Sequence, residues 1–347
     1  MLWLTWRQFR VQAVIAATAV AVVAIGLLAT GFGVRSRFKA AGLPGCQVHH
    51  DCQHVASLYV TALRESQPYT LFFNSGVLFL HAVPALIGLF WAAPLIAREF
   101  ETGTFRLAWN QSVSRSRWIA TKLGFIALVA MATAGLLSLL ITWWASPIDK
   151  ALALAGQTAP IGEYTMDPLI FGARGIAPIG YAALAVALGV TFGVLIRRTL
   201  PAMGLTLASF VAVQVIWANW IRQHLISPKV ASWKISPVNL NAFMISGPAR
   251  KVTVIGAWRP PGGWVLSNQT VTPAGHVFTG PATSACLSGS QNVCDAWLAS
   301  KHLHQLVTFQ PASRFWTLQW LETGIFLLAA VALTIFCAQR IRRRRLT

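Results

Sequence analysis

Six runs of about twenty apolar residues divide this chain: 11–32, 76–97, 123–146, 176–196, 200–220 and 316–338. Nothing else in the sequence limits the fold so tightly. A helix needs about 20 apolar residues to cross the roughly 30 Å hydrocarbon core of a bilayer. The runs therefore predict an all-α polytopic membrane protein with six spanning helices. Composition agrees. Only 11% of the 347 residues are charged and the mean hydropathy is +0.58, whereas a soluble domain carries about 25% charged residues. Internal glycines and prolines are no objection, because membrane helices tolerate them.

The first run follows Arg7 and Arg10, as a signal peptide's would. Its apolar stretch is longer than the usual 7–15 residues, and RSRFKAAG is a poor cleavage site. It reads as a retained helix. The expected organisation is an interfacial amphipathic helix over 1–10 and helices one to five over 11–220. Within the latter lie a polar loop at 98–122 and outer loops at 33–75 and 147–175. A subdomain over 221–315 follows, then the sixth helix with a basic tail over 316–347.

Charge sets the orientation. Fourteen of the 28 Lys and Arg fall in the short pieces 1–10, 98–122, 197–199 and 339–347. The positive-inside bias places these pieces, and both termini, in the cytoplasm. The tail RIRRRRLT is open to a nucleic-acid reading. Because it abuts the last span, it is better read as an anchor beside anionic lipid, with no nucleic-acid partner. Trp143, Trp144, Trp217, Trp220, Trp316 and Trp320 fall at outer span ends, where aromatic belts form.

Cys46 and Cys52 lie in the first outer loop, Cys286 and Cys294 in the last. Two close pairs on an oxidising side suggest disulfides Cys46–Cys52 and Cys286–Cys294, although four cysteines allow three pairings. CQVHHDC, and His302 with His304, match no standard zinc spacing, so no metal is expected. In the subdomain, KVTVIGAW and GGWVLSNQTVT look like short strands or a hairpin turning at residues 260–263. Val293, Trp297, Leu298, Leu303 and Leu306 have helical spacing. The subdomain is thus expected to be small and mixed.

Catalytic constellations are missing. There is no phosphate-binding G-x-x-x-x-G-K-[ST], no H-E-x-x-H and no G-x-S-x-G. Glu322 is the one intramembrane carboxylate and His81 the one histidine inside a span. Each is either a pathway residue or a satisfied packing residue. Gln214 and Asn219 are the polar candidates if the fifth span lines a path. An enzyme is not expected, and energy for transport would come from another chain.

The most chemically loaded piece is AREFETGTFRLAWNQSVSRSRW, between the second and third spans. Glu99 and Glu101 sit where the second span ends. Gly103 can terminate that helix. Thr104 suits the N-cap of a short surface helix presenting Phe105, Arg106, Leu107 and Trp109. Arg115, Arg117 and Lys122 lead into the third span.

This piece resembles the cytoplasmic loop of ABC-2 type transporter permeases. That family shows a pattern close to R-E-x-E-x-G-T, then P-V-S-R, then a Lys at the next helix. Here stand Arg98-Glu99-Phe100-Glu101-Thr102-Gly103-Thr104, Val113-Ser114-Arg115 and Lys122, with Ser112 at the usual proline. The resemblance implies a type V exporter-like permease whose loop is the coupling helix, with Glu99, Glu101, Gly103, Thr104, Arg106 and Arg115 building or flanking it. It further implies two copies of a separate ATPase subunit that holds ATP and Mg, and a second permease chain, the same or different. The cargo expected is a hydrophobic or amphipathic compound exported across a bacterial inner membrane; this chain itself binds no cofactor. The alternative is a membrane-anchored sensor or scaffold whose outer subdomain binds a ligand or partner.

Overall fold

A computed structural model describes residues 2–46, 50–104, 115–156, 164–236, 240–246, 251–281 and 291–343. Six of its helices are long and apolar enough to cross a membrane. The first, α1 (Leu2–Ala40), is unbroken, so no separate helix is set off over 1–10. The run WRQFRVQAV holds neither Gly nor Pro to interrupt it. The second span is α3 (Gln67–Ile87), a π-helical turn at Gly88–Ala92, and α4 (Ala93–Thr102). A shorter helix, α2 (His50–Arg64), precedes it.

The third span, α5 (Arg115–Ala155), runs straight through Pro147. At about 1.5 Å per residue it is about 60 Å long, twice the hydrocarbon thickness. Helix α6 (Pro168–Gly172) is a single turn before the fourth span, α7 (Ala177–Ile196). Only Arg197 and Arg198 separate α7 from α8 (Thr199–Ile216). Arg197 makes this turn with φ +59° and donates its N–H to Gly193 O at 3.2 Å. A second π-helical turn, Trp217–Ile221, carries the fifth span into α9 (Arg222–His224). That span thus ends later than residue 220.

These helices define two ends. One, the loop end, holds Gly103 and the Arg197–Arg198 turn. The other, the sheet end, holds α2, α6 and six strands. Strands β1 (Lys229–Lys234), β2 (Leu240–Ser246), β3 (Lys251–Gly256), β4 (Trp264–Val271), β5 (Gly280–Pro281) and β6 (His304–Gln310) form two antiparallel sheets, ordered β1-β6-β4 and β2-β3-β5. Both expected strands exist, but β3 and β4 do not pair as a hairpin. The Pro260–Gly263 turn sends the chain into the other sheet instead. Gln305 ties the sheets together, donating to Gly256 O at 3.0 Å and to Trp258 O at 2.8 Å. The helix expected over 293–307 is also shortened. Helix α10 (Gln291–Ser300) stops, His302 takes φ +47°, and residues 304–310 alternate as β6. Burying Gln305 and Val307 on one face requires the period of two. The last span is α11 (Phe315–Arg343).

Helix α7 is the axis of the bundle and is buried along most of its length. Its glycines explain how. A Cβ on Gly189 would lie 2.8 Å from Gly88 O and 2.7 Å from Ala92 Cβ, while one on Gly180 would lie 3.1 Å from Thr323 Cα. Small residues let membrane helices approach this closely. Gly189→Val is therefore expected to push α7 off the π turn. A loss of about 1–3 kcal/mol, read as a lower thermal midpoint of the detergent-solubilised chain, is the outcome to check.

Beyond the spans, α2 docks on the projecting parts of α1 and α5. Tyr59 donates to Val34 O at 2.9 Å and its ring meets Phe38 edge-on. Burial pushes its phenol pKa up. The expected Cys46–Cys52 disulfide is formed and ties Cys46 to the first turn of α2. Cys294 is also disulfide-bonded; Cys286 lies outside the described residues.

Two candidate sites at opposite ends of the bundle

At the loop end, the two glutamates of the polar piece are already engaged within the chain. The carboxylate of Glu99 pairs with the Lys122 ammonium, which is buried at the start of the third span and lies 5.0 Å from the Trp118 ring centroid. Glu101 Oε2 accepts the Thr199 backbone N–H at 3.1 Å and its hydroxyl at 2.5 Å. Thr199 is the first residue of α8. A carboxylate there satisfies a helix N-terminal donor and meets the positive end of the helix dipole. The exit of the second span is thus fastened to the entries of the third and the fifth.

Gly103 closes the arrangement. It ends α4 with φ +73°, the left-handed conformation that glycine adopts without a Cβ penalty. Thr102 Oγ1 bonds Arg98 O at 2.8 Å and Thr104 Oγ1 at 3.1 Å. Phe105, Arg106, Leu107 and Trp109 lie outside the described residues, and for Arg115 only the backbone, as the first residue of α5, is described. The surface-helix reading falls on that undescribed piece. The two glutamates themselves bond within the chain, to Lys122 and Thr199.

At the sheet end, Glu322 is completely buried on α11. Arg222, 1% exposed, donates from Nε to Glu322 Oε2 at 2.8 Å and from Nη2 to Glu322 Oε1 at 2.9 Å. Tyr181 of α7 donates its hydroxyl to Glu322 and accepts from Arg222 Nη2 at 3.1 Å. Arg222 Nη1 reaches Pro168 O at 2.8 Å, and the guanidinium lies 4.5 Å from the Phe171 ring centroid. The charges cancel and each of the three guanidinium nitrogens donates to an acceptor, as a buried ion pair requires.

Gln319, one turn before Glu322, extends the network. Its Oε1 accepts from Ile176 N–H at 3.0 Å and Ala177 N–H at 2.8 Å, two orphan donors at the start of α7. Its Nε2 donates to Phe171 O at 2.9 Å. Gly175, at φ +66°, leaves room for this amide: a Cβ there would lie 2.8 Å from Gln319 Oε1. His81 joins from α3, its Nε2 donating to Leu169 O at 2.8 Å.

Of the four pathway candidates, then, His81 and Glu322 border one cluster and are engaged. Asn219 Nδ2 donates to Val215 O at 2.8 Å on its own helix. Gln214 Nε2 is buried and has no hydrogen-bond partner. Arg222, Tyr181 and Gln319 were not singled out from the sequence. The signal existed: one intramembrane carboxylate calls for a cation, and Arg222 sits two residues past the fifth apolar run. Among the described residues, no group of three His, Cys, Asp or Glu gathers in a way that could hold a metal.

The chain is a multi-pass helical membrane protein with these two polar knots. No curated protein and no solved structure matches it. The family described as ABC-2 membrane transporter related matches residues 17–222, from the first span through Arg222 and including both glutamates of the loop end. On that match, which covers more than half of the sequence, the chain belongs to the ABC-2 membrane transporter related family.

Proposed function

We propose that this chain is the permease subunit of an ATP-driven exporter that moves a hydrophobic or amphipathic compound outward across a bacterial inner membrane. Both termini and the loop end face the cytoplasm. Two copies of a separate ATPase subunit, carrying ATP and Mg, dock on the segment after Gly103, and a second permease chain completes the path. The observation that carries this reading is the double fastening at the loop end. A push on the segment after Gly103 moves α4, and through Glu99–Lys122 and Glu101–Thr199 it moves the third and fifth spans with it. Rigid elements with fixed charge contacts transmit such motion.

The test is co-purification and coupling. Tagged chain should retain an ATPase subunit encoded beside it. Deleting residues 105–109 should abolish cargo-stimulated ATP hydrolysis while leaving membrane insertion intact. A chain that never retains an ATPase, and works without residues 105–109 but not without its sheets, is a sensor or scaffold instead.

A further inference from the structure

Helices α1 and α5 touch closely at Gly31. A Cβ there would lie 2.7 Å from the Trp143 ring. Nearer the loop end an apolar groove of about 480 Å³ lies between α1, α5 and the second span, within the roughly 300–1,000 Å³ of small-molecule sites. Ala16 and Ala19 form one wall, Val83, Phe90 and Trp91 the other, and Thr133 part of the floor. Phe90 belongs to the π-helical turn Gly88–Ala92 and is half exposed, so the groove opens sideways toward the bilayer.

Its chemistry is restrictive. Thr133 and Trp91 carry the only polar side-chain atoms of the lining, and the Thr133 hydroxyl already bonds Val129 O at 2.8 Å. Such a predominantly apolar lining suits an occupant that is hydrocarbon along its seated length. The depth is equally telling. Ile15, on the groove, is five residues from the exposed Arg10, about 7 Å along the axis, and Trp91 is seven residues from the exposed Arg98, about 10 Å. Both arginines stand at the loop end, in the same leaflet as the groove's mouth.

We propose that this groove seats one acyl chain of an anionic membrane phospholipid, with its headgroup at the level of Arg10 and Arg98. The lipid fills the groove and holds the first span against the π turn. This site does not depend on transport or on any ATPase partner.

The full chain, reconstituted in nanodiscs containing phosphatidylglycerol with a diazirine in its acyl chain, is photolysed and the labelled peptides mapped. Labelling should be enriched several-fold at residues 15–20 and 83–91 over the freely exposed Leu200 and Leu328, which are 80% and 71% exposed. Ala16→Trp or Ala19→Phe should remove the enrichment. Val22→Trp, on an exposed α1 position outside the groove, should leave it intact. Arg10→Gln with Arg98→Gln should abolish the preference over a phosphatidylcholine probe of the same acyl chain. Uniform labelling of all outward faces, or enrichment that survives groove filling, overturns the proposal. So does disulfide cross-linking of Ile15→Cys between two copies with exclusion of the probe, which would assign the groove to a second chain.

Discussion

Glu322→Ala is expected to cost about 3–5 kcal/mol, because it strands the Arg222 guanidinium in the bundle without its counter-charge. Total stabilities run to about 5–15 kcal/mol, so much of the solubilised chain should be lost. Size-exclusion profiles and thermal midpoints in mild detergent give the measurement. Tyr181→Phe leaves the ion pair and removes one hydroxyl, so its cost should be smaller, about 1–3 kcal/mol. Arg222→Met combined with Glu322→Leu should recover stability above either single change, since a packed apolar pair avoids the desolvation of both ions. A midpoint for Glu322→Ala equal to wild type would remove the cluster from the account of what holds α7, α9 and α11 together.

The second large effect is expected at the loop end. Glu99→Lys places two cations where Lys122 is buried, at a cost of about 3–5 kcal/mol or more. Lys122→Glu alone should fail similarly, and the swapped pair should recover most of the folded protein. Glu101→Ala differs in kind. Its carboxylate is exposed, so the midpoint should barely move. The link from the second span to α8 would nevertheless be gone. Under the proposed exporter function, transport per ATP hydrolysed should fall. Thr199→Val, which keeps the backbone donor, should fall less. A double-mutant cycle between positions 101 and 199 that shows strict additivity would mean the contact transmits nothing.

Much of this architecture was legible in the sequence because one physical requirement dominates it. Hydrocarbon thickness sets the length of each apolar run, and all six runs became helices. The ends were less legible. Helix α5 continues nine residues past the expected limit because Pro147 is carried inside it and the Asp149–Arg174 pair, at 2.6 Å, secures its far end. Outside the bilayer, local pattern misled. Leu306 fits a helical spacing, but pairing with Ser232 of β1 and Gln269 of β4 decided its conformation. The polar cluster was half visible. Glu322 and His81 stood out as rare intramembrane groups, whereas Arg222 was hidden among the basic residues of a long outer segment. Lys122 and Glu99 belonged to the recognised motif, yet their pairing depends on the crossing of two helices, which no spacing encodes.

The Arg222–Glu322 pair also has a consequence in time. Its members are 100 residues apart, and a ribosome adds about 5–20 residues each second. For about 5–20 s after Arg222 is synthesised, Glu322 does not yet exist. Of its eventual oxygen partners, only the Tyr181 hydroxyl and the Pro168 carbonyl precede it. Five spans therefore enter the membrane with an arginine awaiting its acid. A ribosome stalled in this window, or a truncation before the sixth span, leaves a nascent chain whose Arg222 has no counter-charge in the bundle.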